Sequence, residues 1–201
     1  MSVLPNTEPR SASFARRTAE TSVELDLVLD GSGRADIDTG VGFLDHLLAQ
    51  LARHGRLDIQ LRCSGDLGVC DHHTVEDCCL ALGTALDRAL GERRGLRRFG
   101  SAYAPLDESL ARAVVDLSGR PWPVVELGLS RERLGSLATE NITHALDSFA
   151  IAARMNLHVD VLRGKNDHHR AEAAFKAVAL ALRTALELQG DQVPSTKEVL
   201  G

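Results

Sequence analysis

The sequence predicts an α+β fold built from two similar halves, and three observations predict it. First, the cluster Asp71-His72-His73-Thr74-Val75-Glu76 returns as Asp167-His168-His169-Arg170-Ala171-Glu172. Second, each copy is followed by an alanine- and leucine-rich run, Cys78 to Leu90 and Ala173 to Leu188, and preceded by an alternating segment, Leu57 to Leu61 and Leu157 to Val161. Third, an amphipathic stretch precedes each of those strands, Val41 to His54 and Ile142 to Met155, with a histidine near its start, His46 and His144. The spacing agrees: 98 residues separate His46 from His144, and 96 separate His72 from His168. Order, residue type and offset together mark a duplicated structural unit.

Taken in order, Met1 to Arg17 carries Ser and Arg but no apolar core, so it is neither a secretory signal nor a membrane segment and reads as a tail. Residues 1–15 are assigned to that tail, 16–92 to the first half, 93–190 to the second and 191–201 to a C-terminal tail. In the first half, strands are expected over Thr21 to Leu29 and, after the turn Asp30-Gly31-Ser32-Gly33, over Arg34 to Asp38. In the second they are expected over Leu110 to Leu117 and Pro123 to Leu127, separated by Ser118-Gly119-Arg120-Pro121. The stretch from Gly91 to Gly100 joins the halves. Alternating strands suit sheets with helices covering one face.

The bulk numbers narrow the function classes. A 201-residue chain with 44% hydrophobic and 25% charged residues is ordinary for a globular protein. No apolar run approaches the roughly 18 residues that span a bilayer, and a net charge of −5 argues against nucleic acid as a partner. The basic run Arg93, Arg94, Arg97, Arg98 reads as a solvated surface. Cys63, Cys70, Cys78 and Cys79 form no CxxC pair, which fits a reduced, cytoplasmic protein.

Six of the eight histidines occupy repeated positions; His54 and His158 do not and are read as surface or structural residues. Imidazole with carboxylate is a common ligand set for a divalent transition metal. If each His-His-x-x-Glu opens a helix, His72 shares a face with Glu76, and His168 with Glu172, because residues four apart are neighbours. Adjacent helical residues point about 100° apart, so His73 and His169 cannot join the same ion as the histidine before them. Two ions are therefore expected, each using parts of both clusters, with His46 and His144 completing the shells. The nitrogen and oxygen donors fit Mn, Fe, Co or Zn and disfavour a Cys-type structural zinc.

Longer motifs then carry a family resemblance. They are Arg17-Thr18-x-Glu20-Thr21, the run Thr39 to His46, the run Asp71 to Asp77, Arg98-Phe99-Gly100, Pro105-x-Asp107-Glu108 and Asp116-x-Ser118-Gly119-Arg120-Pro121. Gly164-x-Asn166-x-His168-His169, Glu172-Ala173-x-Phe175-Lys176-Ala177 and Pro194-Ser195-Thr196-Lys197 complete the set. In order and over nearly the whole chain, they resemble the imidazoleglycerol-phosphate dehydratases. The resemblance implies duplicated half-domains related to the second domain of ribosomal protein S5. It also implies loss of water from imidazole glycerol phosphate in histidine biosynthesis, two Mn ions per active site, and a 24-subunit homo-oligomeric shell with sites between subunits. Cys70 stands where the family often has an acidic residue, the segment Thr143 to Leu146 is less aromatic than usual, and Glu198 replaces a glycine and adds negative charge after Lys197.

The proton to be removed sits on a carbon that is not acidic, and a divalent ion on the substrate's imidazole would acidify its ring N–H and ease departure of the hydroxyl. By motif position Glu20 is the candidate general base, with Glu172 the alternative if it is not a ligand. Arg98, Arg120, Lys176, Ser195 and Lys197 match the family's substrate-binding positions. Arg suits phosphate oxygens through its planar fork, and Lys supplies a point charge. Gln50, one helical turn after His46, could reach substrate, and Arg17 is a substrate contact or an ion-pair partner. Asp107 and Glu108 could orient ligands. Two rival classes are a two-metal phosphoesterase, which would favour a carboxylate-rich set, and a metal-storing shell, which would need neither Glu20 nor the arginines.

Overall fold

The computed structural model describes residues 9–197 and Leu200; Glu198 lies outside the described residues. The first half runs β1 (Ser11–Arg17), β2 (Thr21–Val28), β3 (Ala35–Asp38), α1 (Gly42–Gly55), β4 (Asp58–Gly65) and α2 (His72–Leu90). The second runs β5 (Phe99–Leu106), β6 (Ser109–Asp116), β7 (Trp122–Glu126), a short hairpin β8 (Arg133–Leu134) and β9 (Leu137–Ala138), then α3 (Thr139–Ala152), β10 (Asn156–Arg163) and α4 (Asp167–Ala185). The sheet orders are β1-β2-β4-β3 and β5-β6-β10-β7, one topology used twice. In each, two antiparallel pairings are followed by one parallel pairing, β3 with β4 and β7 with β10. A parallel pair needs a crossover, and α1 and α3 supply it. The duplication read from the sequence is thus a duplication of fold.

Each sheet buries one face. Val23, Leu25 and Leu27 of β2 point inward while Ser22, Glu24 and Asp26 do not, because successive side chains alternate across a strand. The inward positions of β6 include the small residues Ala111 and Ala113, and α4 is correspondingly rich in buried alanine, from Ala171 to Ala185. Small residues on both surfaces let backbones approach: a Cβ on Gly100 would fall 2.0 Å from the Ala181 carbonyl oxygen. The helices also join the halves, α2 packing on α3 and α1 on α4, so both helix layers lie between the sheets in one continuous core.

Two sheet strands, β1 and β5, and the short β8–β9 hairpin lie outside the sequence expectation. Residues 11–15, assigned to a tail, belong to β1, which pairs with β2 from Ser11↔Val28 to Arg17↔Ser22. As an edge strand, β1 buries only part of one face, through Ala12 and Phe14, and its alternation of polarity stops after Phe14. Its counterpart β5 starts at Phe99, inside the stretch read as a joining segment. The basic run also departs from a solvated surface. Arg93 is 4% exposed and donates to the carbonyls of Ala153 and Arg154 at the end of α3 and to Asp87. Buried arginine needs such a full set of acceptors.

Two predictions follow from this packing. A Cβ on Gly83 would meet the Phe149 carbonyl oxygen at 2.5 Å and the Ala153 nitrogen at 2.8 Å, so α2 and α3 cross in near backbone contact. Gly83→Ala should therefore lower stability by about 1–3 kcal/mol in denaturant unfolding, although alanine is the better helix former. Asp58 Oδ1 accepts the N–H groups of Ser32, Gly33 and Arg34 at 2.8, 2.9 and 2.9 Å, and Oδ2 binds the Arg34 guanidinium. Burial works to raise its pKa, but these bonds outweigh it and hold the carboxyl well below the usual range. Its contribution is then present above the unfolded value of about 4 and is lost as pH falls toward the folded value. Asp58→Asn should cost about 1–2 kcal/mol at neutral pH, and the gap to the unsubstituted protein in thermal melts should close as pH drops below about 4.

Candidate metal and phosphate sites

The helix ends carrying the repeated cluster stand beside the helix of the opposite half. α1 lies on α4, so His46 faces His168 and Glu172: Glu172 Oε2 is 2.8 Å from His46 Nε2 and 3.1 Å from His168 Nε2. α2 lies on α3, so His144 faces His72 and Glu76, with His144 Nε2 3.2 Å from Glu76 Oε1 and the His72 and His144 rings stacked at 4.7 Å. In each trio one donor atom per residue lies within 4.8 Å of the others. Two imidazoles and a carboxylate are the donors that a divalent first-row metal takes, and the convergence of three such atoms fits a cation.

Within one chain each trio draws on one repeated cluster and on the histidine helix of the opposite half. The pairing of α1 with α4 and of α2 with α3 decides this: the N-terminal ends of α2 and α4 each meet the other half's histidine helix, not each other. His73 and His169 stand outside the trios, as helical geometry requires. Their rings are turned 78° from His72 and 90° from His168. His73 Nδ1 is 3.1 Å from Asp66 Oδ2 and 3.8 Å from Glu20 Oε2. His169 Nδ1 is 2.7 Å from Glu108 Oε2, with Asp107 at 3.8 Å from Nε2. The carboxylates beside them raise both histidine pKa values, through the Asp66 hydrogen bond for His73 and the Glu108 hydrogen bond for His169. Glu20 and Glu108 occupy the same place in the two halves, the turn between the first two strands, 88 residues apart as are Ser11 and Phe99.

Surrounding groups fix the trio side chains. His72 Nδ1 is 3.0 Å from Asn141 Oδ1, so in a neutral imidazole the proton sits on Nδ1 and the Nε2 lone pair faces the trio. Lys176 Nζ lies 2.6 Å from Glu172 Oε1. Burial works to raise the Glu172 pKa, but hydrogen bonds from Lys176 and His46 outweigh it and bring it down to about 2, so the group is a carboxylate near neutrality. Gln50 is hydrogen-bonded to His54 at 3.2 Å, one turn beyond His46.

A second constellation gathers four of the residues matched to phosphate binding. Arg98, Arg120, Ser195 and Lys197 line one cleft of about 540 Å³, with Phe99 and Pro194. Arg98 is partly committed: its guanidinium binds Asp116 at 2.7 and 3.1 Å and donates to the Pro194 carbonyl at 2.7 Å, tying the tail to the sheet. Arg120 and Lys197 are exposed. Lys176 and Gln50 are not in this cleft but beside the first trio.

The cleft and the trios lie at opposite ends of the second sheet. Asp116 pairs with Phe99 at the cleft end of the β5–β6 ladder, and Ser109 with Leu106 at the turn beside His169. That ladder spans roughly 24 Å at about 3.4 Å per residue. Neither Asp66 nor Asn141 is singled out from the sequence, and Asp116 enters there only as the first residue of a motif. Of these only Asn141 carried a local signal, lying three residues before His144 and so on its face of α3.

The sequence model of a family described as imidazoleglycerol-phosphate dehydratase matches residues 39–182. An imidazoleglycerol-phosphate dehydratase of Salinibacter ruber is 54% identical over 198 residues, covering 98% of this chain and 98% of that protein. One from Candida glabrata is 55% identical over 208 residues, covering 94% and 99%. The chain spans 42% of the length of a Phytophthora nicotianae relative of the same name, at 56% identity and with 95% of this chain covered. Among solved structures, the Staphylococcus aureus dehydratase superposes with a TM-score of 0.80 at 35% identity, covering 89% of this chain and 99% of that one. That of Pyrococcus furiosus, in complex with (S)-C348, gives 0.81 at 33%, covering 93% and 100%. With the whole duplicated fold matched and close relatives aligned almost from end to end, the chain belongs to the imidazoleglycerol-phosphate dehydratase family.

Proposed function

We propose that this protein catalyses the loss of water from imidazole glycerol phosphate to give imidazole acetol phosphate, with two divalent ions, Mn by preference, at each active site. The observation that carries the reading is the pair of His-His-Glu trios, each assembled from both halves of the chain. A bound divalent ion supplies Lewis acidity toward the substrate's imidazole ring. His46, His168 and Glu172 would hold one ion and His72, His144 and Glu76 the other. His73 and His169, turned outward, would complete shells with trios of neighbouring copies.

Committed to His46, His168 and Lys176, Glu172 serves better as a ligand than as a base. Glu20 is the proposed base: its side chain is 56% exposed at the β1–β2 turn, beside His73, and free to reach a carbon-bound proton. Asp66 and Glu108 hold the rings of His73 and His169. Arg120, Lys197 and Ser195 bind the phosphate, with Arg98 fixing the tail that carries two of them.

Roughly 24 Å separates cleft from hairpin turn at about 3.4 Å per residue, farther than a small phosphate ester reaches. The reading therefore places phosphate arms and trios of one active site on different copies, in a homo-oligomeric shell of 24. Lys176 beside one trio then contributes to a site whose cleft belongs to a neighbour. Among the described residues no helix is long and apolar enough to cross a membrane, and a cytoplasmic location is proposed with the rest.

Purified, Mn-loaded protein should dehydrate imidazole glycerol phosphate in a direct product assay. Release of inorganic phosphate without dehydration would instead indicate a phosphoesterase. Chelation should abolish turnover, and added Mn should restore it. Glu20→Gln should reduce kcat by about 10²-fold or more with metal content unchanged by elemental analysis, whereas His72→Ala should lower both. Full activity in Glu20→Gln would remove Glu20 as the base. Arg120→Ala should raise KM about 10-fold or more with a smaller effect on kcat, since it removes a charge-assisted contact to the non-reacting phosphate.

A further inference from the structure

The connection from the third strand to the histidine helix is three residues long in the first half, 39–41, and twelve in the second, 127–138. The extra chain forms the β8–β9 hairpin, which buries Leu134 and Leu137, and polar contacts tie it to both halves. Asp167 Oδ2 accepts the N–H groups of Ser130 and Arg131 at 2.8 and 2.7 Å, and the Ser130 hydroxyl at 3.1 Å. Asp71 Oδ2 accepts the N–H of Ala138 at 2.7 Å, and its Oδ1 lies 3.5 Å from Arg133 Nη1.

These aspartates are the residues immediately before His168 and His72. They are 2% and 5% exposed, and neither side chain caps its own helix. An aspartate at a helix start ordinarily satisfies that helix's free N–H groups; both of these reach out instead to one segment. At its turn, a Cβ on Gly135 would sit 4.0 Å from that of Phe43, whose ring packs against His46 at 5.9 Å and His168 at 4.9 Å. At its end the segment enters α3, where Asn141 holds His72. One stretch of backbone thus touches the supports of both trios.

We propose that residues 127–138 form a strap that sets the geometry of the two trios together, with Asp71 and Asp167 as its positioning residues. Neither aspartate belongs to a trio. Each satisfies strap N–H groups that would otherwise be orphaned. Loosening the strap at one end relaxes the histidines at the other, and coupling of this kind is reciprocal. The proposal rests on the reading of the trios as divalent-cation sites.

The test is calorimetric titration of chelator-stripped protein with Mn(II), each trio read alone. In a His46→Ala background only the α2–α3 trio remains, and adding Asp167→Asn loosens the strap at its far end. In a His144→Ala background, Asp71→Asn does the reverse. Each should weaken Mn(II) binding at the remote trio by about 10-fold or more, while the melting temperature of metal-free protein moves by only a few degrees. Hydrogen exchange over residues 128–147 should rise in parallel. Arg133→Ala, at an exposed position, extends the test if an aspartate variant fails to fold, and should weaken the α1–α4 trio. Remote affinities unchanged in every variant would overturn the strap. Mn(II) binding absent from the unsubstituted protein would overturn the cation reading beneath it.

Discussion

The structure depends on the packing of each helix pair across the boundary between the halves. Neither half can assemble a trio alone: the first supplies His72 and Glu76 without His144, and the second supplies His168 and Glu172 without His46. The contact of α2 with α3 and of α1 with α4 closes both sets. Gly83 lets α2 and α3 cross in near backbone contact, and between α1 and α4 a Cβ on Gly55 would lie 3.6 Å from the Ala179 carbonyl oxygen. The core and the candidate site are therefore one packing problem, and a shift of an ångström between the helices would part side chains now about 3 Å from one another.

Duplication explains both the economy of the site and its asymmetry. Glu20 and Glu108 hold equivalent turns, yet Glu108 is bonded directly to His169 while Asp66 takes that part beside His73. Two uses of one fold thus place Glu108 against one outward histidine and leave Glu20 at 3.8 Å from the other. The longer connection of the second half has no counterpart in the first, and it is the element that touches the supports of both trios. Binding energy invested in buried carboxylate–backbone bonds there buys position rather than chemistry.

Charge follows the same division of labour. Glu172 is paired with a lysine and two imidazoles, Arg98 with Asp116, Arg93 with Asp87 and the α3 carbonyls. Exposed and less committed cations remain where an anion would arrive, at Arg120 and Lys197. A chain of net charge −5 nonetheless concentrates Arg98, Arg120 and Lys197 in one cleft.

The repeated His-His-x-x-Glu spacing was enough to place His72 with Glu76 and His168 with Glu172, and to turn His73 and His169 away, because the 3.6-residue helical period is a local property. The inward faces of β2 and β6 were legible for the same reason: alternation is local too. The edge strand β1 was not, since Ser11 to Arg17 bury only Ala12 and Phe14 and their pairing is chosen by β2. Nor could the sequence say that His46 meets the second cluster and His144 the first, or that Asp71 and Asp167 turn to a hairpin instead of an ion. Those outcomes join residues 36 to 126 positions apart, and only the packing of four helices between two sheets, which no local period encodes, decides them.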